Sequence, residues 1–196
     1  MEQPSPKVTF GQKSLISFGS NATDDPIDAA EIVQKSSEDL AAQLGFPLVF
    51  SRIYRTPAFP PGSGPDFANA VGLVETDWSA RDMLDLLHRL EDEAGRVRKR
   101  RWGQRILDLD LLAHGDVIAP DIRVYAQWRD LPPARQRVEA PDEMILPHPR
   151  LQDRAFVLVP LAEIAPDWTH PVSGLTTQQM LSACNAADIA GVVPLE

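Results

Sequence analysis

The sequence predicts a single domain that contains both helices and strands. A chain of 196 residues is long enough to bury a substantial core and has the usual length of one domain. Its hydrophobic fraction of 43% is that of an ordinary globular protein. Segments with apolar residues at every second position alternate with segments of helical period, and 18 prolines mark frequent loops.

The first half of the chain predicts three strands, two helices and a loop. Asp25-Pro26 is typical of a helix start, and Gly45 is typical of its end. Ser79 begins a second helix with a pattern that resembles a capping box, and this helix ends at Gly95. The predicted strands are residues 14–18, 48–56 and 67–75, and the predicted loop is residues 57–66.

The stretch from Arg96 to Asp110 combines two opposite kinds of chemistry. Six cations and no acid lie within residues 96–105, and Asp108 and Asp110 then alternate with leucines. A strand would place both carboxylates on one face, about 6–7 Å apart, where they could share a metal or hold a metal pair. Since cationic side chains bind phosphates, the stretch favours a metal–polyphosphate site. A solvated sheet face and a nonspecific nucleic-acid patch remain the alternatives.

The second half of the chain is less regular. Residues 119–142 are rich in Pro, Arg and Asp and predict a long surface-loop insertion. Pro147 and Pro149 flank His148 and restrict its backbone. A short helix is expected around residues 160–165 and a last one from about Thr177, while residues 1–13 are expected to be flexible.

Charge and cysteine content restrict the class of partner. The net charge is −9, so the basic stretch is local on an acidic molecule and favours a small polyanion such as a nucleotide over a long nucleic acid. Cys184 is the single cysteine, which excludes an internal disulfide and agrees with a reducing cytoplasm. No apolar run reaches the length of a membrane span, so we expect no membrane partner.

Seven motifs in order carry a resemblance that covers residues 14–181. They are Gly19-Ser20-Asn21, Tyr54-Arg55-Thr56-Pro57, Phe67-Ala68-Asn69-Ala70, Gly95-Arg96-Val97-Arg98, Arg101-Trp102-Gly103-Gln104-Arg105, Asp108-Leu109-Asp110, and Leu146-Pro147-His148-Pro149-Arg150 with Arg154-Ala155-Phe156. This set resembles the 6-hydroxymethyl-7,8-dihydropterin pyrophosphokinase family. The resemblance implies an α+β fold, with an antiparallel sheet, a ferredoxin-like core and helices on both faces.

The resemblance also implies a reaction and its cofactors. The family transfers the β,γ-diphosphate of ATP to the hydroxymethyl group of the dihydropterin and releases AMP, in folate biosynthesis. By similarity, Asp108 and Asp110 hold two Mg²⁺ ions around the ATP phosphates. By similarity, Arg96 and Arg105 come from a mobile loop that closes over the phosphates and stabilises transition-state charge. The loop from Gly95 to Gly103 is expected to be mobile without ligand and to order over ATP.

The remaining predicted site residues bind the two substrates. By similarity, those around ATP are Glu91, Arg98, Trp102, Ile145, His148 and Arg154, and those around the pterin are Gly19, Thr56, Pro57, Phe67, Asn69 and Phe156. Phe67 and Phe156 would sandwich the pterin ring. The chain departs from the family pattern at Phe67, where many members carry tyrosine, in the shortened loop at Lys99 and Arg100, and just before Ile145.

Two other functions are weighed against this one. A ferredoxin-like sheet with aromatic residues and basic loops can bind RNA, which the acidic body of the chain disfavours. Another two-metal nucleotide-processing enzyme would use the same carboxylates. A P-loop kinase is excluded because the sequence lacks the Gly-x4-Gly-Lys-Ser/Thr pattern. A monomer is expected, with a dimer as the alternative.

Overall fold

The computed structural model describes residues 11–21, 25–58, 64–95, 106–136 and 138–195. These residues form one sheet with helices on both of its faces. The strands are β1 Gln12–Ser20, β2 Leu48–Phe50, β3 Tyr54–Thr56, β4 Phe67–Thr76, β5 Asp108–His114 and β6 Val193–Pro194. The helices are α1 Pro26–Leu44, α2 Ala80–Glu93, α3 Ile122–Arg129, α4 Pro133–Gln136, α5 Ala155–Ile164, α6 Thr177–Ala183 and α7 Ala186–Ala190.

The strand order confirms the predicted fold class. The sheet runs β5-β1-β4-β3-β6, β2 also pairs with β4, and every named pair is antiparallel. With α1 between β1 and β2 and α2 between β4 and β5, this order is that of a ferredoxin-like α+β core. β5 is therefore an edge strand, and its outer edge pairs with no other strand among the described residues.

The predicted strand at residues 48–56 is in fact two short strands. The break lies at Ser51, whose backbone N–H donates to the Val71 carbonyl over 3.0 Å. The Ser51 hydroxyl accepts the Val71 N–H, also at 3.0 Å. A side-chain oxygen thus replaces a backbone acceptor at this point, and the ladder with β4 is interrupted between β2 and β3.

The predicted helix ends in the first half are confirmed. The Asp25 carboxylate accepts the Ile27 N–H at 2.9 Å, and Gly45 ends α1 at a φ of 72°. The Ser79 hydroxyl oxygen accepts the Asp82 N–H at 3.1 Å at the start of α2. Each of these contacts satisfies a helix-terminal group that has no partner within the helix.

The two faces of the sheet carry separate cores. The face that packs on α1 and α2 includes Ile16, Phe18 and the leucines 107, 109 and 111. The opposite face packs on α5 and α6 through Leu15, Val71 and Leu112. Because side chains alternate along a strand, Asp108 and Asp110 leave β5 on the α5 side.

Residues 119–142 are not the surface loop that the composition predicted. They contain α3 and the short α4, and the Asp121 carboxylate caps α3 by accepting the N–H groups of Arg123 and Val124 at 2.8 and 2.9 Å. The Tyr125 side chain of α3 is only 1% exposed. The prolines of this segment flank the helix, so they do not prevent it.

The apolar helix α5 is longer than expected and begins at Ala155. It tolerates Pro160 and packs against β4 through residues such as Val157, Leu158 and Leu161. None of the helices in the described part of the chain combines the length and the apolar character that a bilayer span requires.

Candidate active site

A row of polar groups crosses the sheet on the α5 side. Gly19 at the end of β1 lies opposite Asn69 of β4 on one side and opposite Asp108 of β5 on the other. A Cβ atom on Gly19 would stand 3.1 Å from the Asn69 Oδ1 and 3.9 Å from the Asp108 Cβ. The missing side chain therefore keeps the space between the amide and the carboxylate open, where a ligand can approach the backbone.

The amide of Asn69 has a fixed orientation. Its Nδ2 donates to the Thr56 Oγ1 at 2.6 Å, and both residues are buried. The Oδ1 atom then faces the open space above Gly19 as an acceptor, and the Thr56 hydroxyl proton remains available for donation. The sequence placed Asn69 on an otherwise apolar strand face, and the hydrogen bond to Thr56 explains how the fold tolerates it.

Asp110 lies on the same face, two residues along β5. Its Oδ2 stands 4.0 Å from the Arg154 Nη1, and the two side chains are 39% and 35% exposed. The Arg154 guanidinium carbon lies 5.6 Å from the centre of the Phe156 ring, which is half-buried at the start of α5. The Asp110 carboxylate, the Arg154 guanidinium and the Phe156 ring therefore lie next to one another in the site.

Phe67 begins β4 opposite Thr56 and is half-buried on the same sheet face. Among the described residues, no direct ring contact joins Phe67 to Phe156. Two rings that hold a third ring between them stand apart from each other, so this arrangement is compatible with the predicted sandwich. Pro57 follows β3 as an exposed residue beside these groups.

His148 is neutral and has a defined tautomer. Desolvation of the imidazole and the nearby Arg154 cation lower its pKa from 6.5 to about 3. Its Nδ1 accepts the Arg150 N–H at 3.1 Å, so the ring proton of the neutral form sits on Nε2. His148 therefore offers an N–H donor without a positive charge.

Glu91 and His148 cover parts of the outer edge of β5. The Leu109 N–H donates to the Glu91 Oε1 at 2.9 Å, and the His148 N–H donates to the Leu112 carbonyl at 2.7 Å. Glu91 is only 2% exposed. A carboxylate that accepts a backbone N–H in this way fixes α2 against the strand that carries Asp108 and Asp110.

A groove of about 560 Å³ runs along this edge, within the size range of small-molecule sites. The predicted ATP-site residues Glu91, His148 and Arg154 line it together with Asp110. The buried Ile145 also lines it, as do Trp128 and Leu131 of the 119–142 segment. Four predicted ATP-site residues, Glu91, Ile145, His148 and Arg154, thus line one groove together with Asp110.

Part of the predicted site falls outside the described residues. The predicted site residues Arg96, Arg98, Trp102 and Arg105 lie there. So do the predicted mobile loop after Gly95 and the departures from the family pattern at Lys99 and Arg100. Gly95, which precedes this stretch, has a φ of 86°, a conformation that favours glycine.

The contribution of α3 to the groove was not predicted from the sequence. Trp128 lines it together with the carboxylate of Asp110, whereas the composition predicted an exposed loop. Two features could have indicated a helix here: the Asp121 cap, and the aromatic pair Tyr125 and Trp128 at a spacing of three residues.

The donor set suits magnesium better than a softer metal. Asp108 and Asp110 supply carboxylate oxygens, and the described residues contain no cluster of three or more His, Cys, Asp or Glu that could hold a metal. Magnesium is usually bound by one or two carboxylates, with phosphate oxygens and water completing the shell. The residues present therefore fit Mg²⁺ that arrives with a nucleotide.

Comparison with known proteins identifies relatives of this chain. The sequence model for 7,8-dihydro-6-hydroxymethylpterin-pyrophosphokinase (HPPK) matches residues 15–166. A Synechocystis protein named 2-amino-4-hydroxy-6-hydroxymethyldihydropteridine pyrophosphokinase is 38% identical over 141 residues, which are 72% of this chain and 62% of that protein. A protein of the same name from Methylorubrum extorquens is 33% identical over 181 residues, which are 92% of this chain and 98% of that protein.

Solved structures show the same fold at low sequence identity. The wild-type HPPK-DHPS of Plasmodium falciparum, crystallised with pteroate, matches with a TM-score of 0.60 and 14% identity. The match covers 87% of this chain and 42% of that chain. This likeness supports the architecture of the sheet and its helices.

The fold belongs to the α+β class, and the family model matches residues 15–166 of the chain. The chain belongs to the 7,8-dihydro-6-hydroxymethylpterin-pyrophosphokinase family. Enzymes of this family transfer diphosphate from ATP to hydroxymethyldihydropterin in folate biosynthesis.

The neutral state of His148 leads to a prediction about how the free energy of unfolding depends on pH. Its folded pKa of about 3 lies below the ordinary value of 6.5, so the unfolded chain binds a proton first as the pH falls. The neutral, desolvated imidazole therefore contributes fully to the free energy of unfolding above pH 6.5, and this contribution is lost as the pH falls from 6.5 to 3. The His148→Asn variant keeps an acceptor for the Arg150 N–H, so its free energy of unfolding should fall less steeply from pH 7 to pH 4 than that of the parent.

Urea denaturation at several pH values measures this difference. The control is Gln127→Ala, which changes an exposed residue of α3 that has no ionisable side chain and should leave the slope of the parent unchanged. Equal slopes for the parent and His148→Asn would contradict the neutral, desolvated state of His148.

Proposed function

We propose that this chain transfers the β,γ-diphosphate of ATP to 6-hydroxymethyl-7,8-dihydropterin, and that Asp108 and Asp110 are the catalytic carboxylates. The observation that carries the proposal is the placement of both acids on the sheet face that also bears Gly19 and Asn69, next to Arg154. This arrangement puts groups suited to a polyphosphate beside groups suited to a flat, polar heterocycle.

The reaction joins two substrates and balances without another reactant. The hydroxymethyl oxygen of the pterin attacks the β-phosphorus of ATP, and the bond between the β-phosphorus and the α,β-bridging oxygen breaks. AMP leaves with that oxygen, and the hydroxyl proton is lost to solvent or to a nearby base. The protein mainly has to hold the two substrates in line and to balance the charge of the phosphates.

The carboxylates fit a role in binding two Mg²⁺ ions together with the phosphates. Bound magnesium would neutralise phosphate charge and polarise the reacting oxygens. Arg154 lies beside Asp110 and can contact an anionic phosphate oxygen, while the neutral His148 can donate its Nε2–H to another. Arg96 and Arg105 are proposed to complete the charge balance from the neighbouring basic stretch, with Arg98 and Trp102 around the nucleotide.

The other end of the row suits the pterin. Asn69 offers its Oδ1 as an acceptor and Thr56 offers a hydroxyl proton, which complements a ring edge that has both donors and acceptors. Phe67 and Phe156 are proposed to stack on the two faces of the ring, with Gly19 and Pro57 at its rim. The hydroxymethyl group would then point along the sheet toward Asp108 and Asp110.

The wider setting is proposed on the same basis. Residues 1–196 are proposed to act as one catalytic domain in the cytoplasm, with ATP and a dihydropterin as partners and no nucleic-acid or membrane partner. A monomer is proposed, with a dimer as the alternative. The acidic net charge supports a small-molecule substrate over a nucleic acid.

The first prediction of this proposal concerns Asp110. Its side chain is 39% exposed and lies 4.0 Å from Arg154, a contact that is worth little to stability at this exposure. Asp110→Asn should therefore keep the thermal stability of the parent, or raise it slightly because two neighbouring carboxylates no longer repel. AMP release should fall by orders of magnitude, since a neutral amide is a poorer magnesium ligand.

Melting curves and AMP release on purified proteins measure both effects. Asp116→Asn removes the same charge from an exposed turn just beyond β5 and is the matched control, with normal activity expected. An Asp110→Asn protein that releases AMP at a near-normal rate, or that fails to fold, would show that the carboxylate has another role.

The second prediction concerns the ring of Phe156. Phe156→Ala should weaken pterin binding by about 1–3 kcal/mol, as judged from stacking of bases on aromatic side chains, and should change binding of an ATP analogue little. Calorimetry with each ligand measures this. Val159→Ala is the control, because Val159 belongs to α5 and packs in the same cluster as Phe156 but has no predicted ligand contact. Loss of ATP-analogue binding with pterin affinity intact would place Phe156 elsewhere in the site.

A further inference from the structure

The helix α3 is attached to the active site through Arg150. The Arg150 guanidinium donates to three carbonyl oxygens at the end of this helix, those of Arg129 at 3.1 Å, Trp128 at 3.3 Å and Leu131 at 3.4 Å. The terminal carbonyls of a helix lack partners within the helix, and a cation is favourable at that end. Arg150 follows His148 by two residues, so the same short segment holds both the imidazole and α3.

A second contact fixes the opposite side of α3. Tyr125 is 1% exposed, and its hydroxyl lies 3.4 Å from the Nε2 of His170, which is also buried. The His170 Nδ1 accepts the N–H groups of Val172 and Ser173 at 3.1 and 3.2 Å. The ring therefore carries its proton on Nε2 and donates it to the Tyr125 oxygen, which joins α3 to the turn that precedes α6.

These two attachments hold Trp128 in the lining of the groove. Trp128 is half-buried and lines the groove together with Asp110, His148, Leu131 and Ile145. Among the described residues that line it, Trp128 is the only tryptophan, tyrosine or phenylalanine, and its flat ring suits a nucleobase better than a phosphate.

Charged side chains also line the groove. The Arg154 cation lies beside Asp110, and the exposed acids Asp142 and Glu143 are further lining residues. A triphosphate would be attracted to Arg154 and repelled by the two acids. The acids could instead accept hydrogen bonds from the ribose hydroxyls of a nucleoside that contacts Trp128.

We propose that α3 forms a wall of the nucleoside end of the groove and that Trp128 contacts the base of ATP as an affinity-determining residue. This inference rests on the proposed function, because it takes ATP as the occupant of the groove. It assigns a role in ligand binding to a segment that the sequence predicted only as a surface-loop insertion.

The test compares ATP with a ligand that lacks the nucleoside. Trp128→Ala should raise the KM for ATP about three- to tenfold, as expected for the loss of one aromatic contact, with kcat and the KM for the pterin retained. Inhibition by inorganic tripolyphosphate with Mg²⁺ should be unchanged, because that probe has no base. Trp128→Phe should recover most of the ATP affinity, and Gln127→Ala, an exposed neighbour on α3, should behave like the parent.

Two results would overturn the inference. One is an unchanged KM for ATP in Trp128→Ala. The other is an equal loss of affinity for ATP and for tripolyphosphate, which would mean that the substitution disturbs the phosphate end of the site. If the parent itself releases no AMP, the proposed function fails instead, and calorimetry with a non-hydrolysable ATP analogue on the parent and Trp128→Ala still decides the role of Trp128.

Discussion

The alternation of side chains along β5 is the constraint on which the site depends. Leu107, Leu109 and Leu111 enter the core beneath α1 and α2, and the alternation sends Asp108 and Asp110 to the opposite face. A register slip of one residue would exchange these sets and bury two carboxylates in an apolar core. Because burial of an unpaired charge is strongly unfavourable, the core itself enforces the position of the acids.

The remaining parts of the site are built outward from this strand. The antiparallel ladder to β1 places Gly19 opposite Asp108, and the ladder from β1 to β4 places Asn69 opposite Gly19. On the open edge, Glu91 accepts the Leu109 N–H, and the His148 backbone reaches Leu112. Contacts of this one strand with its two neighbouring sides therefore position Gly19 and Asn69, the two carboxylates and the groove.

Local signals in the sequence were sufficient for the elements around this strand. The caps at Asp25, Gly45 and Ser79 act within a few residues, and the structure contains all three. The break at Ser51 depends on a hydrogen bond to Val71, twenty residues away, which no local pattern indicates. The helix at residues 122–129 was not predicted, because the prolines that flank it suggested a loop, although Asp121 provides a clear cap.

The site was predictable to a similar extent. Asp108, Asp110 and the order of motifs around them could be identified from the chain, and Asn69 was singled out as a polar residue on an apolar face. The position of Trp128 in the groove could not be predicted from the sequence. It depends on the hydrogen bonds of Arg150 and on the Tyr125–His170 contact, which form only when distant segments pack together.

The most direct test of the account is the identity of the nucleotide product. Phosphorus NMR can follow the purified protein with ATP, Mg²⁺ and 6-hydroxymethyl-7,8-dihydropterin. The account predicts AMP together with a pterin diphosphate in equal amounts, and no reaction when the pterin is omitted. Formation of ADP with a pterin monophosphate, or AMP release that does not require the pterin, would contradict diphosphate transfer by this site.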